Sequence, residues 1–286
     1  MITLFSAVIT QLLTFMPLAL AIYISFVVLN ATDMTLDSSF VVGAAVFARL
    51  ISLQVSPILA AISAILAGAI AGIGVAIIQS KQKIDSLLAG VLATFILASG
   101  NLLIMGKPNI SLLTKTTLVS QSFSQSEFFG WITVACYSGF FCLLACLLLQ
   151  SRIGLILRGF GDNPALLQRL GKNIENYRLL GFAVTNGLAA VAGCFTAQTV
   201  GYADIGMGFG VTLTALGTVI LGKQIISRQK FFVMSEFAAC FLGVVLYFFT
   251  MNLLLRLSIN PIYLKMLLGI ALVMFLRAAK FNLRRA

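Results

Sequence analysis

The sequence has no histidine and very little charge. Histidine is the commonest general base and metal ligand, so its absence from all 286 residues argues against chemistry that depends on it. Charged residues make up 9% of the chain, against roughly 25% in soluble domains. The sequence also lacks an HExxH motif and any pair of acids at an obvious catalytic spacing. These absences disfavour an enzyme, whether soluble or embedded in a membrane.

Cysteine is scarce and forms no recognisable motif. The chain has five cysteines and no CxxC pair. All five lie in apolar segments: Cys136, Cys142, Cys146, Cys194 and Cys240. Such positions indicate small buried side chains rather than metal ligands or disulfides. We therefore expect no metal site and no cofactor held by this chain.

Apolar residues are what the sequence has in abundance. They make up 60% of the chain, and the mean hydropathy is +1.07. No soluble fold could hide so much apolar surface, which predicts an all-α, polytopic transmembrane protein. Stretches long enough to cross a bilayer, about 17–25 residues each, lie near 12–30, 53–79, 84–105, 129–150, 179–200, 211–227, 231–251 and 261–278. We expect about eight spanning helices in a single transmembrane domain covering residues 1–286.

The net charge of +11 is concentrated in a few short regions. Four regions are basic: Lys81 with Lys83; 152–178; Lys223 with Arg228 and Lys230; and Arg277 with Lys280, Arg284 and Arg285. Cytoplasmic loops carry an excess of lysine and arginine, so these regions and both termini are expected in the cytoplasm, and 106–127, 201–210 and 252–260 outside. No basic face with interleaved aromatics exists elsewhere, so we expect no nucleic-acid partner.

Residues 31–52 do not fit this alternation as a simple span. If the segment near 12–30 runs from inside to outside, residues 31–52 make no net crossing. One interpretation is a re-entrant or broken helix, of the kind that transporters use at substrate sites. The other is an outer loop that carries an amphipathic surface helix.

Several polar side chains lie at or inside the apolar segments: Asp33, Asp37, Asn101, Asn186, Gln198 and Asp204. Burying a polar group in a membrane costs free energy unless it is paired or hydrated, which makes these residues functional candidates. Asn101 and Asn186 lie deepest in their segments. The three aspartates are expected near the outer surface, where helix capping is an alternative role.

A polar island at 152–178 separates two long apolar segments. Its helix signals are a cap, a first residue and a stop: Asp162 or Asn163, Pro164 and Gly171. The helix predicted between them, near 162–171, has an apolar face: Leu166, Leu167 and Leu170. Leucines exposed to the cytosol are stabilised when a partner buries them, which favours docking of a partner protein. The alternative is that this helix lies on lipid headgroups.

Two glycine patterns have structural explanations. Gly222 and Lys223 end a stretch that fits most of a Walker A pattern, but Gln224 stands where the serine or threonine for magnesium belongs. We therefore expect no nucleotide site in this chain. Gly68 and Gly72 belong to a small-residue face that predicts close helix packing within the chain, with a homodimer seam as the alternative.

Four blocks of sequence resemble one transporter family. Residues 158–198, RGFGDNPALLQRLGKNIENYRLLGFAVTNGLAAVAGCFTAQ, look like the signature of ABC importer permeases of the branched-chain amino acid and ribose type. The blocks at 33–40, 101–110 and 201–210 are similar to stretches of one subgroup, the permeases labelled tryptophan/tyrosine-type. The four blocks occur in the same order, and the resemblance covers most of the chain.

The resemblance implies the membrane subunit of an ATP-driven importer of a small solute, such as an amino acid, in a bacterial inner membrane. It implies four kinds of neighbour: a cytosolic ABC ATPase dimer that binds the ATP and magnesium, an extracytoplasmic solute-binding protein, a second copy of the chain, and membrane lipid. Two classes stay open beside it. One is an ion-coupled secondary transporter that uses the aspartates, and the other is an ABC exporter or lipid-handling permease.

The polar residues and the island are expected to have two separate roles. ATPase docking is expected on the loop 158–178, with these coupling residues: Gly161, Asp162, Asn163, Pro164, Leu167, Arg169 and Gly171. The translocation path is expected to include Asp33, Thr35, Asp37, Asn101, Asn186, Gln198 and Asp204. Leu167→Glu is expected to uncouple ATP hydrolysis from transport without loss of folding, and Asn186→Leu to lower uptake.

Overall fold

Helices account for nearly all of the described chain. The computed structural model describes residues 2–79, 86–123, 126–226 and 233–257, together with the isolated positions 263, 266, 269 and 270. These residues form eleven α-helices: α1 Ile2–Ile22, α2 Leu36–Ser52, α3 Pro57–Ile78, α4 Ser86–Met105, α5 Leu118–Phe123, α6 Glu127–Gln150, α7 Arg152–Asp162, α8 Pro164–Arg169, α9 Ile174–Val200, α10 Val211–Ile226 and α11 Val233–Arg256. A π-helix, Tyr23–Val28, continues α1, and a 3₁₀ turn, Ile205–Gly208, precedes α10.

Seven of these helices are long and apolar enough to cross a membrane: Val8–Val28, Pro57–Ile78, Ser86–Met105, Phe128–Gln150, Ile174–Val200, Ile205–Ile226 and Glu236–Arg256. They coincide with seven of the eight predicted spans, so the predicted polytopic helical fold is confirmed. Four predicted features lie wholly or mostly outside the described residues: the span near 261–278, the loop with Lys81 and Lys83, the residues Arg228 and Lys230, and the basic C-terminal end.

Helix α9 is the central column, and glycines let α2 and α3 approach it closely. A Cβ added to Gly72 of α3 would collide with the carbonyl oxygen of Phe182 in α9. A Cβ added to Gly193 of α9 would collide in the same way with the carbonyl oxygen of Phe40 in α2. Small residues allow such close backbone contact between helices in a membrane. The predicted packing of the Gly68 and Gly72 face within the chain is therefore confirmed.

Helix α1 runs antiparallel to α9. Leu29, just beyond the π-helix, packs against Gly181 near the start of α9. At the other end of the bundle, Thr14 and Gln198 line the same cavity. A cytoplasmic N-terminus and a cytoplasmic island would make the segments near 12–30 and 179–200 cross in the same direction, so these two expectations cannot both hold. Because α9 begins next to the polar island, the start of the chain and the island lie at opposite ends of the bundle.

Residues 29–52 follow α9 along most of its length and make a crossing. Leu29 lies beside Gly181, Asp33 bonds to Asn186, and Phe40 packs on Gly193. Helix α2 itself is mostly buried between α3, α4 and α9. The surface-helix interpretation of this segment is therefore wrong. The prediction that residues 31–52 make no net crossing is wrong as well, since the segment crosses the bundle; of the re-entrant or broken-helix interpretation, only the break before α2 is present.

A two-stranded antiparallel ladder closes the end of the bundle opposite the island. Strand β1, Asn109–Ser111, pairs with β2, Tyr202–Asp204, so that Ile110 faces Ala203. Helix α9 ends just before β2, at Gly201, whose φ of 85° is the left-handed conformation that favours glycine. The ladder ties the loop after α4 to the loop after α9 and adds a small β element to a helical fold.

Candidate functional site

Four polar side chains meet where α2 begins beside the middle of α9. We call Asp33, Thr35, Ser39 and Asn186 the buried polar cluster, since none has any solvent exposure. The Asn186 amide nitrogen donates to Asp33 at 2.9 Å, and its oxygen accepts from the Ser39 hydroxyl at 2.6 Å. The Thr35 hydroxyl lies 3.2 Å from the same Asn186 oxygen and also contacts Asp33. The cluster thus joins α9 to the start of α2.

The carboxylate of Asp33 is held by neutral donors. It accepts hydrogen bonds from the backbone N–H and hydroxyl of Thr35 and from the Asn186 amide. Among the described residues, no lysine or arginine forms an ion pair with it. Burying a carboxylate is costly unless donors replace its water, so these three bonds maintain the cluster. The expectation that Asp33 lies near the outer surface is wrong.

The backbone that leads into the cluster is irregular. After the π-helix, regular helix resumes only at Leu36. Asn30 has a φ of 50°, a left-handed conformation that asparagine tolerates better than most residues. The Ser25 hydroxyl donates to the carbonyl of Ala31 at 3.0 Å and ties the break to the preceding helix. Irregular backbone is tolerated at membrane depth where protein covers it, as it does here.

Two further predicted residues flank the cluster. The amide nitrogen of Asn101 in α4 donates to the carbonyl of Ser38 at 3.2 Å, and the Asn101 amide oxygen has no partner within the described chain. The carboxylate of Asp37 accepts from the backbone N–H groups of Gly210 at 3.0 Å and Thr212 at 2.5 Å. Asp37 therefore caps the N-terminus of α10 from a neighbouring helix, where a negative charge is favourable.

The last two predicted residues lie apart from the cluster. Asp204 accepts from the backbone N–H of Gly206 at 2.7 Å and from the Asn109 amide at 3.2 Å, which fixes the turn after β2. Gln198 lies about 18 Å further along α9 than Asn186 at 1.5 Å per residue. It lines a cavity of about 510 Å³ between α1, α5, α6 and α9, which we call the α1–α9 cavity.

The polar island forms two helices, and their exposed residues make the surface that we call the α7–α8 surface. Asn163 caps α8 by accepting from the backbone N–H of Leu166 at 3.1 Å, and Pro164 is the first residue of α8. Leu166 and Leu170 are exposed by 53% and 65%. Leu167 is only 7% exposed and packs inward, so the prediction that it belongs to the exposed apolar face is wrong.

The other predicted coupling residues are distributed around these two helices. Asp162 is the last residue of α7. It is therefore not the N-cap of α8, a position for which the sequence allowed either Asp162 or Asn163. Asp162 and Arg169 are both exposed. Gly171 has a φ of 72° and ends the island's second helix, as predicted. These positions leave charged and polar groups beside the exposed leucines.

Gly161 connects the α7–α8 surface to the interior. A Cβ at this position would collide with the carbonyl oxygen of Val28, the last residue of the π-helix. Only a glycine allows α7 to rest directly on the start of the break between α1 and α2. Helix α7 is further fixed by Phe160, whose ring lies 5.8 Å from the guanidinium of the buried Arg178. Helix α7 therefore lies in direct contact with the segment that leads to Asp33.

The Walker-like stretch is a helix-packing motif. A Cβ on Gly222 would collide with the carbonyl oxygen of Ala239, because α10 packs tightly on α11 there. Lys223 forms an ion pair of 3.3 Å with Glu236 of α11. The glycine and the lysine thus serve contacts between two spanning helices, in line with the expectation that they do not bind phosphate.

Ser39 and most of the residues that line the α1–α9 cavity were not predicted from the sequence. Ser39 follows Thr35 by four residues, so both lie on one face of α2, and that spacing was an available signal. The cavity brings together Thr14, Thr117 and Trp131 from separate parts of the chain. No local pattern links these three positions, so the fold alone reveals them.

A bundle of spanning helices with a broken crossing, a buried polar cluster and a polar surface at one end defines a membrane transport subunit. The chain belongs to the family described as "Branched-chain amino acid transport system / permease component", which matches residues 4–276. It is therefore a multi-pass permease subunit of an ABC-type transport system and not an enzyme. ATP is bound by a separate partner ATPase, and the family also implies a binding protein.

Similar proteins come from several bacteria. An uncharacterized protein of Rickettsia prowazekii is 43% identical over 273 residues, covering 94% of this chain and 95% of that protein. A tyrosine transport system permease of Clostridioides difficile is 34% identical over 278 residues, covering 97% and 92%. A ribose import permease of Escherichia coli is 22% identical over 223 residues, covering 74% and 67%. No solved structure matches the chain.

Proposed function

We propose that this chain is the permease of an importer that takes up a small solute delivered by an extracytoplasmic binding protein. It works as a homodimer in a bacterial inner membrane, and a cytosolic ATPase dimer docks on residues 158–178. The solute is an amino acid or a similar molecule, since the tyrosine transport permease covers nearly the whole chain. The observation that supports docking best is the pair of exposed leucines in and just after α8, Leu166 and Leu170, which lie beside exposed Arg169 and Lys172.

The α7–α8 surface sets the proposed orientation. With this basic surface in the cytoplasm, α1 runs inward and the start of the chain faces outward, because Leu29 lies at the α7 end of the bundle. This replaces the cytoplasmic N-terminus expected from the sequence. One further crossing after α11 would return the C-terminus to the cytoplasm, in agreement with its basic residues.

The proposed mechanism is alternating access driven through α7. ATP closes the ATPase dimer and moves the α7–α8 surface. Gly161 rests on Val28, so this movement reaches the break and the hydrogen bond between Asp33 and Asn186. The contacts of α2 with α9 then change between an inward-open and an outward-open arrangement. The solute shifts this equilibrium only by binding the two arrangements with different affinity. The chain itself makes and breaks no covalent bond.

Leu170→Glu tests the docking surface. The substitution places a charge on an exposed apolar contact, so we expect co-purification of the ATPase to fall at least tenfold, about 1.4 kcal/mol of binding free energy. Leu53→Glu is the matched control, because Leu53 is 58% exposed but lies at the end of α2 near the β ladder. Unchanged ATPase recovery with Leu170→Glu, measured against normal membrane levels of the permease, would contradict the proposal.

The same preparation separates the alternatives. An importer requires its binding protein for full ATPase activity, whereas an exporter or a lipid-handling permease does not. An ion-coupled carrier would lose uptake on collapse of the proton gradient and keep it after ATP depletion. Leu167→Glu is no longer a suitable docking test, because the buried Leu167 packs in the core and its replacement would destabilise the fold.

A further inference from the structure

The α1–α9 cavity lies at the end of the bundle opposite the α7–α8 surface. Its volume of about 510 Å³ falls within the range of small-molecule sites, roughly 300–1,000 Å³. It is bordered by α1, α5, α6 and α9, close to the β ladder. In the proposed orientation it faces the side from which a binding protein delivers its solute.

The lining of the cavity is polar but uncharged. Hydroxyl and amide groups come from three parts of the chain: Gln11 and Thr14 of α1, Thr117 before α5, and Gln198 and Thr199 of α9. None of the described residues that line it carries a charge. Trp131 of α6 adds an aromatic surface. Such a lining suits a solute without net charge that has hydrogen-bonding groups and an apolar ring or chain.

Gln198 has an unused hydrogen-bonding group in this cavity. Gln198 is only 5% exposed, and its amide oxygen has no hydrogen-bond partner in the described part of the chain. The amide nitrogen contacts only the sulfur of Cys194, at 3.4 Å, which is a weak acceptor. A buried amide oxygen without a partner is rare in folded proteins and needs an explanation. A bound solute supplies that partner.

A second cavity has an apolar lining, in contrast to the polar lining of the α1–α9 cavity. It has a volume of about 480 Å³ and is lined almost entirely by carbon, including Ile58, Ile62, Phe140 and Phe141. An acyl chain fits such a lining, since it makes no hydrogen bonds. An acyl chain in the α1–α9 cavity would leave the buried amide oxygen of Gln198 without a hydrogen-bond partner, which disfavours lipid as its occupant.

We propose that the α1–α9 cavity is a binding site for a small solute of no net charge, of the size of an amino acid or a pentose. The Gln198 amide binds a polar group of the solute, and Trp131 packs against its apolar face. Gln198 is on the same helix as Asn186, so occupancy of the cavity acts on the column that holds the buried polar cluster. This inference deepens the proposed function and rests on it.

The single tryptophan of the chain makes a direct test possible, because Trp131 reports from the cavity itself. The permease with its ATPase is reconstituted in lipid nanodiscs without nucleotide, and the part of the tryptophan emission that is lost in a Trp131→Phe preparation is titrated with L-tyrosine, L-valine and D-ribose. L-lysine and L-glutamate serve as charged solutes. We expect a saturable change with at least one solute of the first group and none with the charged pair.

Gln198→Leu is expected to raise the Kd for the solute roughly tenfold, as the loss of a buried hydrogen bond predicts. Gln150→Leu is the matched control, because Gln150 makes the same 3.4 Å contact with a cysteine sulfur four residues earlier, Cys146, but lies outside the cavity. If Gln198→Leu does not fold, Thr14→Val removes a lining hydroxyl with little change of shape and is expected to weaken binding about threefold.

Three results would overturn the proposal: no saturable response to any of the uncharged solutes, an unchanged Kd in Gln198→Leu, or quenching of Trp131 by brominated phospholipid that no solute relieves. The ATPase content of the same nanodiscs tests the proposed function separately. If the ATPase is retained but no solute changes the tryptophan emission, the cavity proposal alone is refuted. Solute binding without any associated ATPase refutes the importer assignment and supports the cavity.

Discussion

Asn186→Leu, compared with Asn101→Leu, tests the buried polar cluster most directly. Both asparagines lie within spanning helices and are at most 1% exposed. Leucine is close to asparagine in size, so the substitutions differ mainly in the hydrogen bonds that they remove. From the sequence alone the two positions were equivalent, whereas the structure separates them.

The magnitude follows from the number of partners. Asn186 bonds to three side chains of another segment, Asp33, Thr35 and Ser39. Interhelical bonds in membrane proteins contribute about 0.6 kcal/mol on average and about 1.7 at most, so three of them predict a loss of about 2–5 kcal/mol. Asn101 makes one such bond, and its amide oxygen is unpaired, so its replacement should cost about 1 kcal/mol or less.

Thermal unfolding of the two variants in the same detergent measures this difference, with ATP-dependent uptake in proteoliposomes as the functional assay. We expect Asn186→Leu to unfold at the lower temperature and to lose uptake even where it inserts normally. The unfolding temperature and the uptake of Asn101→Leu should stay close to those of the unmodified protein. Equal losses of stability in the two variants would refute the cluster as the structural link between α2 and α9.

Other single substitutions probe the contacts around α2 and α10. Gly161→Ala places a methyl group against the carbonyl of Val28, so we expect ATP hydrolysis to continue with at least tenfold less uptake. In Gly159→Ala, also in α7, the added methyl group meets only the side chain of Leu167 at ordinary contact distance, so this variant should transport normally. Equal transport by both variants would contradict the coupling route. Asp37→Asn removes the charge at the cap of α10 and should cost about 1 kcal/mol in thermal unfolding. A smaller loss is expected for Asp204→Asn, which lies in a partly exposed turn, and the reverse order would contradict the capping role.

Periodicity and charge predicted the spanning helices because those signals are local. An uninterrupted apolar run must be helical in a bilayer, whatever surrounds it. The island was predictable for the same reason, since Asn163, Pro164 and Gly171 act on their immediate neighbours. Charge did not fix the direction of α1, which has no acidic residue in its first turn and no basic residue in its last turn.

The site was only partly predictable because its bonds join distant residues. Asp33 and Asn186 are separated by 153 positions, and Asp37 and Thr212 by 175. Their polarity marked them as unusual in an apolar chain, but polarity does not distinguish a cap from a cluster. Leu167 shows the opposite error: a leucine between two exposed leucines on a short helix can face inward, and six residues are too few for periodicity to reveal it.

The polar character of α9 has a consequence for how the protein is made. Of the seven candidate spans, Ile174–Val200 has the lowest mean hydropathy, and yet it is among the most enclosed by protein. It is the fifth of the seven in chain order, so most of the helices that cover it are synthesised first. A helix that carries buried asparagine and glutamine enters lipid less readily than its apolar neighbours. We therefore expect the insertion of α9 to depend on α2 and α3, which precede it in the chain and pack against it.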